Sequence, residues 1–247
     1  QVGCGMGCTF CATAQMGFKR NLTVAELVAQ VLVMVRDLGP AESQRITLVF
    51  MGMGEPLQNL DNVLRACHIL SHSKGLGIPV GRMTISTSGL VSQIDKLGQA
   101  KLRPTLAVSL NATTDAVRSR IMPVGRTWEL GSLKEALLRF PLQAREKLTL
   151  EYVLLGGEND SDEDADRLAA FAKPFRHNLN LIPFNAWEGS AHQEPTEEAL
   201  QRFVKRMQNA GCLVTVRRSR GRDVAAACGQ LIQLQGAKRA RGLQVRA

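Results

Sequence analysis

Three cysteines fall within eight positions near the start of the chain, Cys4, Cys8 and Cys11 in "CGMGCTFC". Thiols so spaced suit either one face of a helix or a loop wrapped around a metal. Gly3, Gly5 and Gly7 interleave them, and each glycine costs about 1 kcal/mol relative to alanine inside a helix. The loop is the better reading, because glycine lets a backbone curl tightly around something small. Three thiolates cannot complete the usual four-thiolate cage of an iron–sulfur cluster, but they can hold a cube with one iron left open. A zinc knuckle is the alternative. It wants a fourth Cys or His, and the nearest downstream, Cys67 and His68, stand far along the sequence.

Other chemistry-bearing residues stand singly. In "GMGEP", Gly52 and Gly54 remove side chains where a ligand could approach and Glu55 offers a carboxylate, although such a stretch also makes an ordinary turn. Ser86 closes an apolar run, as do Ser109, Leu110 and Asn111, and Asn185 follows "LIPF". Polar groups at such places bind ligands or hydrogen-bond the turns they begin. Cys228, flanked by alanines in "DVAAACGQL", reads on its own as a small buried cysteine. Cys67 and Cys212 read as packing residues, and His68, His72, His177 and His192 show no ligand-like clustering. Glu151 and Arg118 are candidate supporting polar groups near strand ends.

The elements that must position these residues follow from apolar periodicity. Residues 46–51, 82–87, 105–110, 148–155, 178–184 and 212–216 read as short, mostly buried strands. Helices lie between them. Thr23 and Glu26 form a capping box that opens one helix, and Ser132 and Glu135 are expected to repeat the device. "LDNVLRACHILSHS", "SDEDADRLAAFA" and "TEEALQRFVKRMQNAG" supply three more, the last two beginning with acids that suit the positive end of a helix dipole. Nearly continuous apolar strands, each followed by a helix, predict a parallel sheet covered by helices, which can curl into a partial or full barrel with its functional groups at the C-terminal strand ends. One domain over 1–247 is expected, with neither an internal repeat nor a linker.

At 247 residues the chain can bury a full core. No apolar run approaches the ~20 residues of a membrane span, and no signal peptide precedes the cysteines. Six cysteines, three of them clustered, do not look like a secreted disulfide framework, so a cytoplasmic protein is expected. The formal charge is +9, and the segment 217–247 carries eight basic residues against one acid, Asp223, leaving the rest nearly neutral. Such a one-ended concentration suits a phosphate-backbone partner or a solvated basic terminus. The chain starts at Gln1 without a methionine, and it reads as part of something longer.

The cysteine loop resembles that of the radical S-adenosylmethionine (SAM) superfamily. Further blocks, "ATAQMGFKRNLTVAELVAQV", "FMGMGEPLQNLDNV", "TISTSGL", "LEYVLL", "NLIPFN" and "RGRDVAAACGQL", resemble the RlmN/Cfr family of RNA adenosine methyltransferases from the first residues to about Leu231. The resemblance implies an α/β partial (β/α)6 barrel with a C-terminal extension. It implies a [4Fe–4S] cluster on Cys4, Cys8 and Cys11, with SAM bound by Gly54, Glu55, Ser86, Ser109, Leu110, Asn111 and Asn185. Family members more often carry His where Asn111 stands, so a side-chain role there is in doubt while a backbone contact survives. Cys228 would carry the methyl group as an S-methylcysteine intermediate, and a SAM-derived radical would convert it to the species that adds to C2 of adenosine. The implied substrate is 23S rRNA, with tRNA as a further candidate. Alternatives are a C8-directed Cfr-type enzyme and another radical SAM enzyme acting on a non-RNA substrate. The resemblance also implies a flavodoxin- or ferredoxin-type electron donor, with a monomer expected. It places a first strand, a second cysteine and an RNA-binding domain ahead of this chain, so the chain alone is expected to lack turnover.

Overall fold

The computed structural model of the protein describes residues 1–39 and 46–218. Six parallel strands lie side by side in chain order: β3 (Leu48–Phe50), β4 (Met83–Thr87), β5 (Thr105–Ser109), β6 (Leu148–Leu154), β7 (His177–Pro183) and β8 (Val214–Val216). Ahead of them, β1 (Val2–Gly3) and β2 (Phe18–Arg20) form a small antiparallel pair that brackets the cysteine loop. Helix α1 (Val24–Leu38) precedes β3. The crossovers carry α2 (Leu60–Ser71), α3 (Val91–Gly98), α4 (Asp115–Ile121), α5 (Leu130–Arg139), α6 (Asp162–Ala172) and α7 (Glu197–Asn209). Parallel crossovers are right-handed, so strands added always in the same direction put the crossover helices on one face, except the short α4, which packs at the C-terminal strand ends beside the cysteine loop. The opposite face is left for the wall of a barrel.

The six strands occupy the stretches read from sequence, each shorter by one or more residues at its ends except β7, which is displaced by one. Their composition needs a correction. The strands are not apolar on both sides but alternate. Met83 and Ile85, Leu106 and Val108, Leu150 and Tyr152, and Leu179 and Leu181 face the helices and are fully buried. The residues between them are Thr84 and Ser86, Ala107 and Ser109, Thr149 and Glu151, and Asn178 and Asn180. One face thus makes the core with Ile94, Leu97, Leu133, Leu168 and Phe203, and the other is a floor of small and polar groups. Period two in a strand makes this segregation automatic.

The Thr23–Glu26 capping box forms as expected, with Thr23 Oγ1 accepting from Glu26 N (3.2 Å) and Glu26 Oε2 accepting from Thr23 N (2.9 Å). The second box does not form. Helix α5 starts at Leu130, two residues before Ser132, because Asp115 Oδ1 accepts the Leu130 N–H at 2.7 Å and caps the helix from another element. Ser161 and Thr196 cap α6 and α7. Helices α3 and α4, eight and seven residues long, escape a reading that seeks longer periodic runs. No helix among the described residues is long and apolar enough to cross a membrane.

Candidate active site

A single cavity above the C-terminal ends of β3–β7 is lined by nine of the ten cofactor and metal residues expected from sequence. These are Cys4, Cys8, Cys11, Gly54, Glu55, Ser86, Ser109, Asn111 and Asn185. Leu110 is the exception. Its side chain lies wholly in the helix-side core, so only its main chain can reach a ligand. Cys228 and residues 219–247 of the basic segment lie outside the described residues. Cys67 and Cys212 are buried in the core, as expected of packing residues.

The cysteine loop is pinned at both ends. Cys4 N donates to Gly17 O (3.1 Å), and Cys11 N donates to Cys8 O (3.2 Å). Gly3 has φ +74°, and a Cβ there would stand 1.8 Å from Gly17 O, so only glycine permits this closure. The loop docks on α4, where Thr9 N donates to Ile121 O (3.0 Å). From the other side, Trp187 Nε1 donates to Phe10 O (3.2 Å), and His192 Nε2 meets Thr9 Oγ1 at 2.7 Å. His192 Nδ1 is in turn held by Glu158. This Thr9–His192–Glu158 chain was not legible in the sequence, because its members are 183 and 34 residues apart. Burial, reinforced by the neighbouring thiols, pushes the Cys8 thiol up to about 12. Burial also raises Cys4. In the metal-free loop Cys4 and Cys8 therefore favour the neutral thiol.

Glu55 is 2% exposed, and its carboxylate is already well used. Oε1 accepts from Leu57 N (3.0 Å), and Oε2 accepts from Ser88 N (2.7 Å) and Ser88 Oγ (2.8 Å). Three of a carboxylate's roughly four acceptor sites are thus taken by the protein, and the Thr87 hydroxyl is a further partner. A ligand ammonium could share this carboxylate but would not own it. Burial still holds the Glu55 acid above the usual carboxylate range, more strongly than the donors pull it down.

Glu151 stands at the middle of the polar floor, 3% exposed. Its Oε2 accepts from Ser86 Oγ (3.0 Å), reaching across β5 to do so, and the side chains of Asn180 and Ser109 also bond it. Burial raises its pKa, opposed by these hydrogen bonds and by Arg217 at the end of β8. Apolar walls complete the cavity, with Phe10, Met122, Val153, Ile182 and Phe184 facing the polar floor.

Asn111 is the one described non-glycine residue with positive φ, at +55°, a conformation asparagine tolerates better than most. Its Oδ1 accepts from Val153 N (2.9 Å), where β6 runs on beyond the end of β5. Its carbonyl accepts from Asn159 Nδ2 (2.8 Å), and Asn159 also bonds Val153 O and Leu155 N. Two asparagine side chains thus replace the missing ladder. The Asn111 amide therefore has a structural use, and any ligand contact falls to what remains, including its main chain.

A polar-floored cavity at the strand ends of a singly wound sheet, with three free cysteines at its rim, is a cofactor site. The family model of the radical SAM superfamily matches residues 1–169. Among curated proteins, the "Dual-specificity RNA methyltransferase RlmN" of Geobacter sulfurreducens is 49% identical over 94% of this chain and 62% of its own length. The protein of the same name from Syntrophobacter fumaroxidans is 45% identical over 96% of this chain and 68% of its own length. A crystal structure of a radical SAM methyltransferase from Sphaerobacter thermophilus superposes with a TM-score of 0.88 at 42% identity, covering 93% of this chain and 67% of that one. The chain belongs to the radical SAM superfamily and, within it, to the RlmN family. It spans roughly two thirds of the length of the curated relatives it matches.

The cofactors of this family are a [4Fe–4S] cluster and SAM, and the residues present fit both. The described lining holds three cysteines and neither a fourth cysteine nor a histidine, which suits a cube with one open iron. Beside the cysteines lie acceptors for an ammonium and for hydroxyl groups, and an apolar slot wide of them for a planar ring.

Proposed function

We propose that this chain is the catalytic core of an RNA methyltransferase that methylates C2 of adenosine in 23S rRNA, and also in tRNA. The observation that carries this reading is the gathering of Cys4, Cys8, Cys11, Glu55, Ser86, Ser109, Asn111 and Asn185 around one cavity, in a chain whose curated relatives are named RNA methyltransferases. Cys4, Cys8 and Cys11 are the cluster ligands. Bound there, the cluster and SAM supply radical chemistry strong enough to remove hydrogen from an unactivated methyl group.

The chain's own residues orient what binds. Glu55 would share its carboxylate with the ammonium of SAM, while Leu57 and Ser88 fix the carboxylate's direction. Glu151, braced by Ser86, is the acceptor for ribose hydroxyls. Phe184 and Ile182 would flank the ring, with Asn185 beside them to bond its edge. Phe10 lines the cavity and is held in place by Trp187, whose indole donates to its carbonyl. Cys228 is the methyl carrier, which an amidine carbon requires because it is no nucleophile and cannot attack SAM directly. Arg217, Arg218 and the basic residues beyond them meet RNA phosphates. In this reading 1–247 is one domain, cytoplasmic and monomeric, supplied with electrons by flavodoxin or ferredoxin.

Cys228→Ala in the complete protein tests the reading. Methylation of an RNA hairpin should vanish while reductive cleavage of SAM continues at the wild-type rate. Methylation that survives the substitution contradicts it.

A further inference from the structure

Arg118 is fully buried, the largest side chain to be so among the described residues, and no carboxylate there pairs with it. Its two terminal nitrogens donate to carbonyls, Nη1 to Trp128 O (3.0 Å) and Nη2 to Ser88 O (2.6 Å). Its Nε has no partner at all, the one such buried side-chain atom among the described residues. Asp115, a turn earlier on α4, spends its Oδ1 on Leu130 N. Asp115 acts on the guanidinium through space without pairing with it. A buried charge without a paired counter-ion is costly, so either the bracket between two carbonyls is its whole purpose or something else completes the balance.

The guanidinium reaches the cysteine loop through Ser88. Ser88, which accepts from it, contacts Met6 Sδ through its hydroxyl at 3.1 Å, and Met6 stands between Cys4 and Cys8. The helix that carries Arg118 receives Thr9 at its C-terminal end, and Pro123 just beyond packs at Gly7. A cube held by three thiolates is a net anion, and it becomes more negative on reduction.

From this geometry we infer that Arg118 is the counter-charge for the cluster, a positioning residue whose field favours the reduced state. The inference rests on the proposed assignment of Cys4, Cys8 and Cys11. Removing the charge should make the cluster harder to reduce. At an effective dielectric suited to proteins, one unit charge near the loop changes the reduction equilibrium on the order of tenfold, which is about 59 mV for one electron.

The test is an electron-paramagnetic-resonance redox titration of the anaerobically reconstituted chain, with a low-potential one-electron reductant supplying the electron. Arg118→Met should shift the equilibrium about tenfold toward the oxidised cluster, and Arg118→Lys, which keeps the charge, should stay near wild type. Arg118→Gln, neutral but still able to donate from its side-chain amide, should reproduce the shift, and it decides the matter if Arg118→Met does not fold. Cluster-loaded variants with unchanged potentials overturn the inference and leave the cysteine assignment standing. A wild-type chain that takes up no cluster overturns both.

Discussion

Glu151 shows what a single residue's surroundings do. Placed at the centre of the polar floor, it is hydrogen-bonded by Ser86, Ser109 and Asn180, yet burial outweighs them and its pKa lies above the usual 4.5. The folded state therefore holds this proton more tightly than the unfolded chain does. Stability contributed by the protonated form is complete below 4.5 and is lost as pH rises through the folded pKa. Glu151→Gln, neutral throughout, should match wild type in acid and become the more stable protein as pH rises to neutrality. Urea denaturation of the metal-free chain across that range checks it, and a constant difference contradicts it. The residues around Glu151 were legible only in part. Ser86, Ser109 and Asn185 stand at the ends of apolar runs, where polarity is conspicuous. Asn159 sits in a turn of "GGENDS", where asparagine is ordinary, and nothing local announces that its side chain repairs the ladder beside Asn111. Leu110 was drawn in with its neighbours, but strand alternation turns it to the helices.

At the scale of elements, the floor keeps its shape because strand starts are tied as firmly as strand ends. Arg103, just ahead of β5, makes a two-pronged ion pair with Glu146, just ahead of β6, at 2.8 and 2.7 Å. The two side chains are 8% and 9% exposed, and Arg103 also stacks over the Phe140 ring at 4.8 Å. Breaking such a pair from one side strands a buried charge, so Arg103→Ala should cost about 3–5 kcal/mol. Arg139→Ala, which breaks a solvent-exposed pair with Asp95, should cost about 0–1 kcal/mol. Thermal or denaturant unfolding compares the two, and equal effects would contradict the contrast. Helix starts divided in the same way between local and distant causes. The Thr23 box lies within four residues and was readable. The start of α5 is set by Asp115, fifteen residues earlier, and periodicity carries no trace of it.

At the scale of the molecule, the sequential strand order does the organising. Apart from α4, the described crossover helices fall on one face, so the apolar half of each strand is consumed by the core and the polar half lines the barrel wall. The loops at the C-terminal strand ends converge, which is where this kind of architecture concentrates its chemistry. Residues from position 4 to position 185 then meet in one cavity. The strand count and the parallel arrangement were visible in the alternation of apolar runs with capped helices. The polar face was not, because short strands bounded by turns read as uniformly apolar. The central claim is that three cysteines hold an iron–sulfur cube with a corner open to SAM. Electron paramagnetic resonance of the anaerobically reconstituted, reduced chain tests it most directly. The account predicts a reduced [4Fe–4S] signal that changes when SAM is added and is absent in Cys8→Ala. A chain that takes up no iron, or a signal indifferent to SAM, would contradict it.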